Sequence, residues 1–150
     1  MITATNPAID QHQIMKLVDN WANAIRSKDI DACILNYAPN VQLFDVVEPL
    51  EYFGSDAVRM RATEWFSTFE GPLDFEMHDL RLSSDGDVAF AHSLNHVIGT
   101  KRDGKKLDMW WRATVCYRKM DEQWMVTHEH NSVPFDVESG RASVHLKPQK

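Results

Sequence analysis

The sequence is poor in cysteine and has no long apolar run. Cys33 and Cys116 are too few for a disulfide framework, so we expect reduced thiols in a cytoplasmic protein. No apolar run approaches the roughly 18 residues that would span a bilayer, so no membrane partner is expected. The opening residues, MITATNPAIDQHQ, show no charged-then-apolar leader, which agrees with a cytoplasmic location.

Basic residues and familiar catalytic motifs are also scarce. The chain has 16 Lys and Arg against 22 Asp and Glu, a formal net charge of −6, and no basic cluster that would bind nucleic acid. It has no G-x-S-x-G motif, P-loop or dinucleotide fingerprint, so no cofactor is expected. Cys116 lies between apolar residues, where a thiol stays protonated, so nucleophilic catalysis has no support.

The composition is that of an ordinary globular protein, with 43% apolar and 25% charged residues. A length of 150 residues fits one domain that can bury about 70% of its unfolded surface. We therefore predict a single domain over residues 1–150. Its core covers about residues 8–135, and residues 136–150 form a C-terminal tail with little pattern.

Apolar residues at helical spacing dominate the first third of the chain. Asn6 is a predicted N-cap, and Pro7 occupies the first helical position. The stripe that follows is typical of a helix with one buried face. It comprises Ile14, Leu17, Val18, Trp21, Ala22 and Ile25.

Two further helices are predicted. The second starts near Asp29 and carries Tyr37 at its end, where Pro39 stops it because the residue before a proline disfavours helical geometry. The third starts at Ser55 as its N-cap and ends at Gly71–Pro72.

Strands dominate the remainder. An early strand is predicted at Val41–Val47. Four more follow Pro72, separated by the hairpin signals SSDGD, KRDG and MDE. Helices followed by an antiparallel meander indicate an α+β domain with helices on one sheet face. The four strands are LDFEMHDLRL, DVAFAHSLNHVIGT, KLDMWWRATVCYRK and QWMVTHEHNSV.

The last two strands carry large residues on both faces. A sheet with one wet face should alternate cleanly between apolar and polar residues. We therefore expect helices on one face and a second copy of the chain on the other, which makes a homodimer. In the last strand, strict alternation places Glu129 and Asn131 on one face, and Trp124, Val126, His128 and His130 on the other.

These features together resemble the nuclear transport factor 2-like fold, and within it the SnoaL-like and ketosteroid-isomerase-like small proteins. The resemblance implies a curved, cone-shaped antiparallel sheet wrapped around three N-terminal helices. It also implies a pocket for a small apolar organic ligand at the mouth of the cone. The stretches that carry it are NYAPNVQLFD (36–45), FGSDAVR (53–59), GDVAFAH (86–92) and WMVTHEHNSVPF (124–135).

The resemblance implies two catalytic carboxylates, Asp45 and Glu129. It places a general base at Asp45, where Phe44 and Val46 would desolvate the carboxylate, and a pocket-facing carboxylate at Glu129. The alternative for Asp45 is a hydrogen bond to a loop at the strand end. The isomerases have a tyrosine donor on the first helix and an aspartate on a late strand. This chain has neither, so steroid isomerisation is not expected.

Five further residues are candidate ligand contacts, and for Tyr37, Trp111 and His92 the alternative is a core residue. Tyr37 could point its hydroxyl into the cone, and Trp111 could form an aromatic wall. Asn131 would flank Glu129. His92 and Asn95 lie on opposite faces of one strand, and alternation alone does not decide which of them faces the pocket.

A metal site is not expected. The His128-x-His130 pair could hold one metal ion, but a third ligand would be needed. The candidates, His92 and His96, are separated by about 13 Å along a strand, so at most one could join. Interface or core imidazoles are the alternative for His128 and His130.

The sequence leaves two functions open. One is a cofactor-independent isomerase, cyclase or hydratase/hydrolase that uses Asp45 and Glu129. The other is a non-catalytic ligand-sensing or dimerisation module. A shared cavity for the two carboxylates would favour the enzyme, whereas a carboxylate sealed in an ion pair would favour the module.

Overall fold

The computed structural model describes residues 7–149. The N-cap predicted at Asn6 lies outside these residues. Two helices, two strands, a third helix and four long strands follow one another along the chain. Their bounds are α1 Pro7–Ser27, α2 Ile30–Ile34, β1 Tyr37–Phe44, β2 Tyr52–Phe53, α3 Ser55–Ser67, β3 Phe69–Asp85, β4 Val88–Lys101, β5 Lys106–Met120 and β6 Gln123–Ser132.

All six strands form one curved, unclosed sheet in the order β2-β1-β6-β5-β4-β3. The four long strands make the predicted antiparallel meander. β1 returns to pair with β6 in parallel, which the hairpin signals did not predict. The α+β class with three helices and a curved sheet is confirmed. None of the helices in residues 7–149 is long and apolar enough to cross a membrane.

The region around Tyr37 differs from the prediction. The second helix ends at Ile34, and Tyr37 begins a strand instead of closing a helix. The backbone N–H of Val126 donates to the Asn36 carbonyl at 2.7 Å, so the start of β6 fixes this segment as a strand. Pro39, which has no N–H to donate, lies where the pairing of β1 with β6 is irregular.

Other elements also differ from the prediction. The early strand ends at Phe44, short of Val47, and the two-residue strand β2 was not predicted. The third helix ends at Ser67, and Gly71 and Pro72 lie within β3. A break in the β3–β4 pairing between Glu70 and Asp74 accommodates the proline.

A β-bulge changes the facing of β6. The pairing with β5 steps from Tyr117–Val126 to Cys116–His128, which leaves Thr127 as the extra residue. Trp124 and Val126 therefore lie in the core, as Glu129 does, although strict alternation placed them on the other face. The prediction of which sheet face each residue of β6 occupies is correct after the bulge and wrong before it. One extra residue shifts the alternation of inward and outward side chains by one position.

The buried carboxylate of Asp10 ties α1 to the end of the sheet. Asp10 is 3% exposed, and its Oδ1 accepts hydrogen bonds from Trp124 Nε1 at 3.2 Å and Lys119 Nζ at 3.1 Å. Trp124 belongs to the core cluster that includes Ile14 and Val18 of α1. The hydrogen bonds of Asp10, called here the Asp10 anchor, therefore add to the apolar contact between the first helix and the last strand.

Substituting Asp10 tests this anchor. Asp10→Ala should lower the free energy of unfolding by about 1–3 kcal/mol, because the buried Trp124 N–H loses its acceptor. Asp10→Asn keeps an oxygen acceptor and should retain most of the stability. Urea unfolding of both variants measures the difference, and equal stability of wild type and Asp10→Ala would contradict the role of the anchor.

Candidate active site

A cavity of about 120 Å³ lies between the concave face of the sheet and helices α1 and α3. Its wall is mainly apolar and aromatic, as ligand pockets commonly are. Its polar groups come from the start of β1, the residue after β1, α3 and the end of β6. The lining residues are Trp21, Ile25, Cys33, Tyr37, Leu43, Asp45, Val46, Val58, Arg61, Ala62, Trp65, Phe75, Val97, Leu107, Met109, Trp111, Glu129 and Asn131.

Glu129 is the most deeply buried charged group in this cavity, with 8% of its surface exposed. The Tyr37 hydroxyl donates to its Oε1 at 2.5 Å, and Asn131 Nδ2 donates to its Oε2 at 2.8 Å. Each carboxylate oxygen thus has one neutral donor. Because an ionised carboxylate offers about four acceptor positions, both oxygens retain capacity for a ligand or a proton.

Burial raises the pKa of Glu129 above its ordinary value of 4.5, and the nearby Asp45 charge adds to the increase. The hydrogen bonds from Tyr37 and Asn131 act in the opposite direction, because they stabilise the charged form. The pKa of Tyr37 is also raised, first by burial and then by the Glu129 carboxylate, so its hydroxyl stays protonated. Tyr37 is therefore a donor in this site.

Asp45 lies directly after β1 and is held in an ion pair. Arg61 Nε donates to Asp45 Oδ2 at 2.6 Å, and both side chains are largely buried. Asp45 Oδ1 accepts from the Val46 backbone N–H at 2.8 Å and lies 3.4 Å from Asn131 Nδ2. Asp45 is thus desolvated, as its apolar neighbours predicted, but a guanidinium and two neutral donors surround its carboxylate.

The polar groups form one chain of contacts across the cavity, running from Tyr37 through Glu129, Asn131 and Asp45 to Arg61. Asp45 and Glu129 do share a cavity, as an enzyme would require. Asp45 is also held in an ion pair, which is the arrangement expected of a non-catalytic module. The two carboxylates thus differ in their surroundings: Asp45 faces a positive charge, whereas Glu129 has only neutral donors.

Four of the five predicted ligand contacts line a cavity. Trp111 forms part of the aromatic wall of the main cavity, and Tyr37 and Asn131 line both it and a neighbouring cavity of about 30 Å³. Asn95, which is 1% exposed, lines the smaller cavity alone. His92 is exposed on the opposite face of β4, so the prediction that it contacts the ligand is wrong; alternation from the buried Asn95 turns it outward.

Among the lining residues that sequence reasoning missed, Arg61 and Trp21 matter most because each brings a nitrogen donor. Arg61 lies three residues after Val58 and four before Trp65, which places it on the buried face of α3, and this spacing could have identified it. Trp21 was assigned only to the apolar stripe of α1, although it lines both cavities. Nothing in a stripe of large apolar residues distinguishes a cavity wall from a packed core.

The paired histidines of β6 lie outside the cavity. Both rings contact Phe44 edge-on, with centroids 4.8 Å away for His128 and 5.4 Å for His130. His128 Nδ1 also lies 2.8 Å from the Gln42 carbonyl. Across residues 7–149, no group of three or more His, Cys, Asp or Glu side chains is arranged to hold a metal ion.

Comparison with known proteins identifies the family. The sequence matches the SnoaL-like domain model over residues 14–136. A nuclear transport factor 2-like protein of unknown function from Pseudomonas putida KT2440 has 34% identical residues. It aligns over 97% of this chain and 100% of its own, with a TM-score of 0.85. None of the curated proteins compared matches this chain.

More distant structures share the fold. A nuclear transport factor 2-like superfamily protein from Salmonella enterica is 16% identical over 90% of this chain and 98% of its own, with a TM-score of 0.77. A ketosteroid isomerase-like protein from Erwinia carotovora is 20% identical over 81% of this chain and 93% of its own, with a TM-score of 0.69. Because the family match spans most of the sequence and the Pseudomonas putida protein aligns over nearly all of it, the chain belongs to the SnoaL-like domain family within the nuclear transport factor 2-like superfamily.

Proposed function

We propose that the main cavity is the active site of a cofactor-independent enzyme. It would act on a small apolar organic compound as an isomerase, cyclase or hydratase/hydrolase. One observation carries the proposal: the Glu129 carboxylate is buried in an apolar cavity with neutral donors and a raised pKa. A carboxylate whose pKa is raised by desolvation is suited to proton transfer.

In the proposed mechanism, ionised Glu129 takes a proton from the bound compound and returns it at another position. The Tyr37 hydroxyl and Asn131 amide hold the carboxylate in place. Asp45 would be a positioning residue, because its oxygens contact Arg61, the Val46 N–H and Asn131. This assignment moves the role of base, which the resemblance gave to Asp45, to Glu129.

A ligand-sensing or dimerisation module is the second candidate, and the Asp45–Arg61 ion pair favours it. With its Oδ2 held by Arg61, Asp45 is poorly placed to accept a proton from a ligand. In such a module the cavity would bind a compound without turnover. The two candidates differ in one measurable property, which is proton exchange between the ligand and water.

We also propose that the chain forms a homodimer through the outer face of the sheet. Val88, Phe90 and Ile98 lie on the outward side of β4 and are 45%, 49% and 38% exposed. The rings of His96 and Trp110 stack beside them with centroids 4.1 Å apart. Removing this apolar face from water would favour association. A cytoplasmic location is proposed with it, since both cysteines are free thiols.

Solvent proton exchange tests catalysis. With a panel of small cyclic ketones in deuterium oxide, wild type should incorporate deuterium into at least one ketone faster than buffer does. Glu129→Gln should slow this exchange by roughly 10²- to 10⁴-fold, because it removes the proton acceptor. The control Glu76→Gln alters an exposed carboxylate outside the cavity and should exchange at the wild-type rate. Mass spectrometry measures the label, and binding without exchange would favour the sensing module.

The rate of deuterium exchange should fall at low pH. Exchange should be lost as the pH falls through the raised pKa of Glu129, because the base must be ionised. Tyr37→Phe removes a hydrogen bond that stabilises the ionised form, so it should raise this pKa further. Carbon-13 NMR of labelled glutamate carboxyls measures the titration directly.

Tyr117→Phe is the matched control for this titration. Tyr117 is buried near Glu129, and its hydroxyl makes no hydrogen bond to Glu129 within the described residues. This variant should leave the Glu129 titration where it is in wild type. A lower or unchanged Glu129 pKa in Tyr37→Phe would contradict the proposed role of the tyrosine.

Sedimentation velocity tests the dimer. Wild type should sediment as a dimer, and Phe90→Glu should shift it toward monomer because a charge would be buried in the interface. Val137→Glu, at a tail residue that is 86% exposed, should remain dimeric. A monomeric wild type would refute the proposed interface.

A further inference from the structure

The indole N–H of Trp21 is a buried donor that makes no hydrogen bond to an oxygen or nitrogen atom. Among the described residues it is the single buried side-chain nitrogen or oxygen in this condition. A buried donor left without an acceptor is destabilising, so most native structures avoid it and each exception needs a physical explanation. An acceptor supplied by a bound ligand would remove the penalty.

Trp21 is well placed for such a contact. It lies on α1 and lines both the main and the smaller cavity. Its ring meets Phe75 edge-on, with centroids 5.4 Å apart and an interplanar angle of 84°, which restricts its orientation. The Cys33 thiol is within hydrogen-bonding reach of the indole, but burial raises the pKa of that thiol to about 12, so it stays protonated. A protonated thiol is a weak acceptor, so an oxygen atom would bind the N–H more strongly.

The rest of the cavity restricts the ligand's charge. Tyr37 and Asn131 already donate to Glu129, and Arg61 Nε already donates to Asp45. The lining therefore carries two carboxylates against one guanidinium. An anionic ligand would meet uncompensated negative charge, and a cationic one would have to be desolvated among apolar walls. An uncharged ligand avoids both costs.

The walls restrict the ligand's shape and size. Trp111 meets Trp65 edge-on at 6.1 Å between centroids and lies tilted against Phe75 at 5.9 Å. Aromatic walls of this kind favour a flat ring. An apolar cavity of about 150 Å³ accommodates benzene, so one ring nearly fills a cavity of about 120 Å³ and any substituent would extend through its open side.

We infer that the main cavity binds an uncharged, single-ring ketone and that Trp21 Nε1 donates a hydrogen bond to its carbonyl oxygen. The inference rests on the proposed function and specifies its substrate class. It assigns Trp21 as a specificity-determining residue. The ring would lie against Trp111, and the carbon that loses its proton would lie toward Glu129.

Two probes of equal shape test the hydrogen bond. Acetophenone has a carbonyl oxygen where α-methylstyrene has a methylene group. In a nitrogen-15-labelled sample, acetophenone should move the Trp21 indole proton downfield, whereas α-methylstyrene should not. Wild type should bind acetophenone roughly five- to tenfold more tightly, the ratio that one neutral hydrogen bond provides. The signal is assigned from Trp→Phe variants or from its contacts with Phe75, so the shift does not depend on one variant folding.

Trp21→Phe keeps an aromatic ring and removes the N–H. It should bind both probes with equal affinity, whereas the control Trp111→Phe should weaken both and keep their ratio. The inference would be overturned if wild type bound the two probes with equal affinity or if acetophenone left the indole proton in place. It would also be overturned if Trp21→Phe kept the wild-type ratio of the two affinities. Failure of both probes to bind would refute the proposed ligand class.

The proposed function is judged separately by deuterium exchange in wild type and Glu129→Gln. If the preference for acetophenone over α-methylstyrene disappears in Trp21→Phe and wild type catalyses no exchange, the result would support ligand recognition by Trp21 and refute catalysis. Exchange that depends on Glu129, with no preference between the probes, would support catalysis and refute the role of Trp21.

Discussion

The hydrogen bond from Tyr37 to Glu129 joins two strands that lie far apart in the chain and side by side in the sheet. Burying a carboxylate costs several kcal/mol unless donors compensate it. Here one donor comes from β1 and the other, Asn131, from β6 itself. The cavity's polar end can therefore exist only if β1 returns to pair with β6. The irregular pairing after Tyr37 and the bulge at Thr127 occur at the same level of the sheet, where the two strands adjust to each other.

The two carboxylates of the cavity show how position determines chemistry. Both lie among apolar residues, yet Asp45 has a guanidinium partner and Glu129 has a hydroxyl and an amide. A positive neighbour stabilises a carboxylate as a fixed charge, whereas neutral donors compensate burial only in part. The raised pKa of Glu129 follows from that incomplete compensation. The cavity thus combines an ion pair with one group able to gain and lose a proton.

Much of the architecture could be predicted because its signals are local. The stripe of α1 and the turns between the long strands depend on neighbours a few residues away. Tyr37 was misplaced because Ile30, Cys33, Ile34 and Tyr37 fit helical spacing, whereas pairing with β6 decides the outcome. The carboxylate positions followed from the resemblance, but their surroundings did not. Arg61 is sixteen residues from Asp45, and only the folded chain brings the two together.

The bulge at Thr127 places both halves of β6 on the same face of the sheet. Before it, Trp124 and Val126 fill the core; after it, Glu129 and Asn131 reach the cavity. If the strand were regular and kept Thr127, strict alternation would turn the cavity-facing residues after it outward and the two histidines inward. Deleting Thr127 would remove the bulge and leave the later pairs with β5 unchanged, so a relative one residue shorter at this point would present the same carboxylate face. Inheritance of the site thus depends on whether the extra residue is absorbed by a bulge, and not on the length of the strand alone.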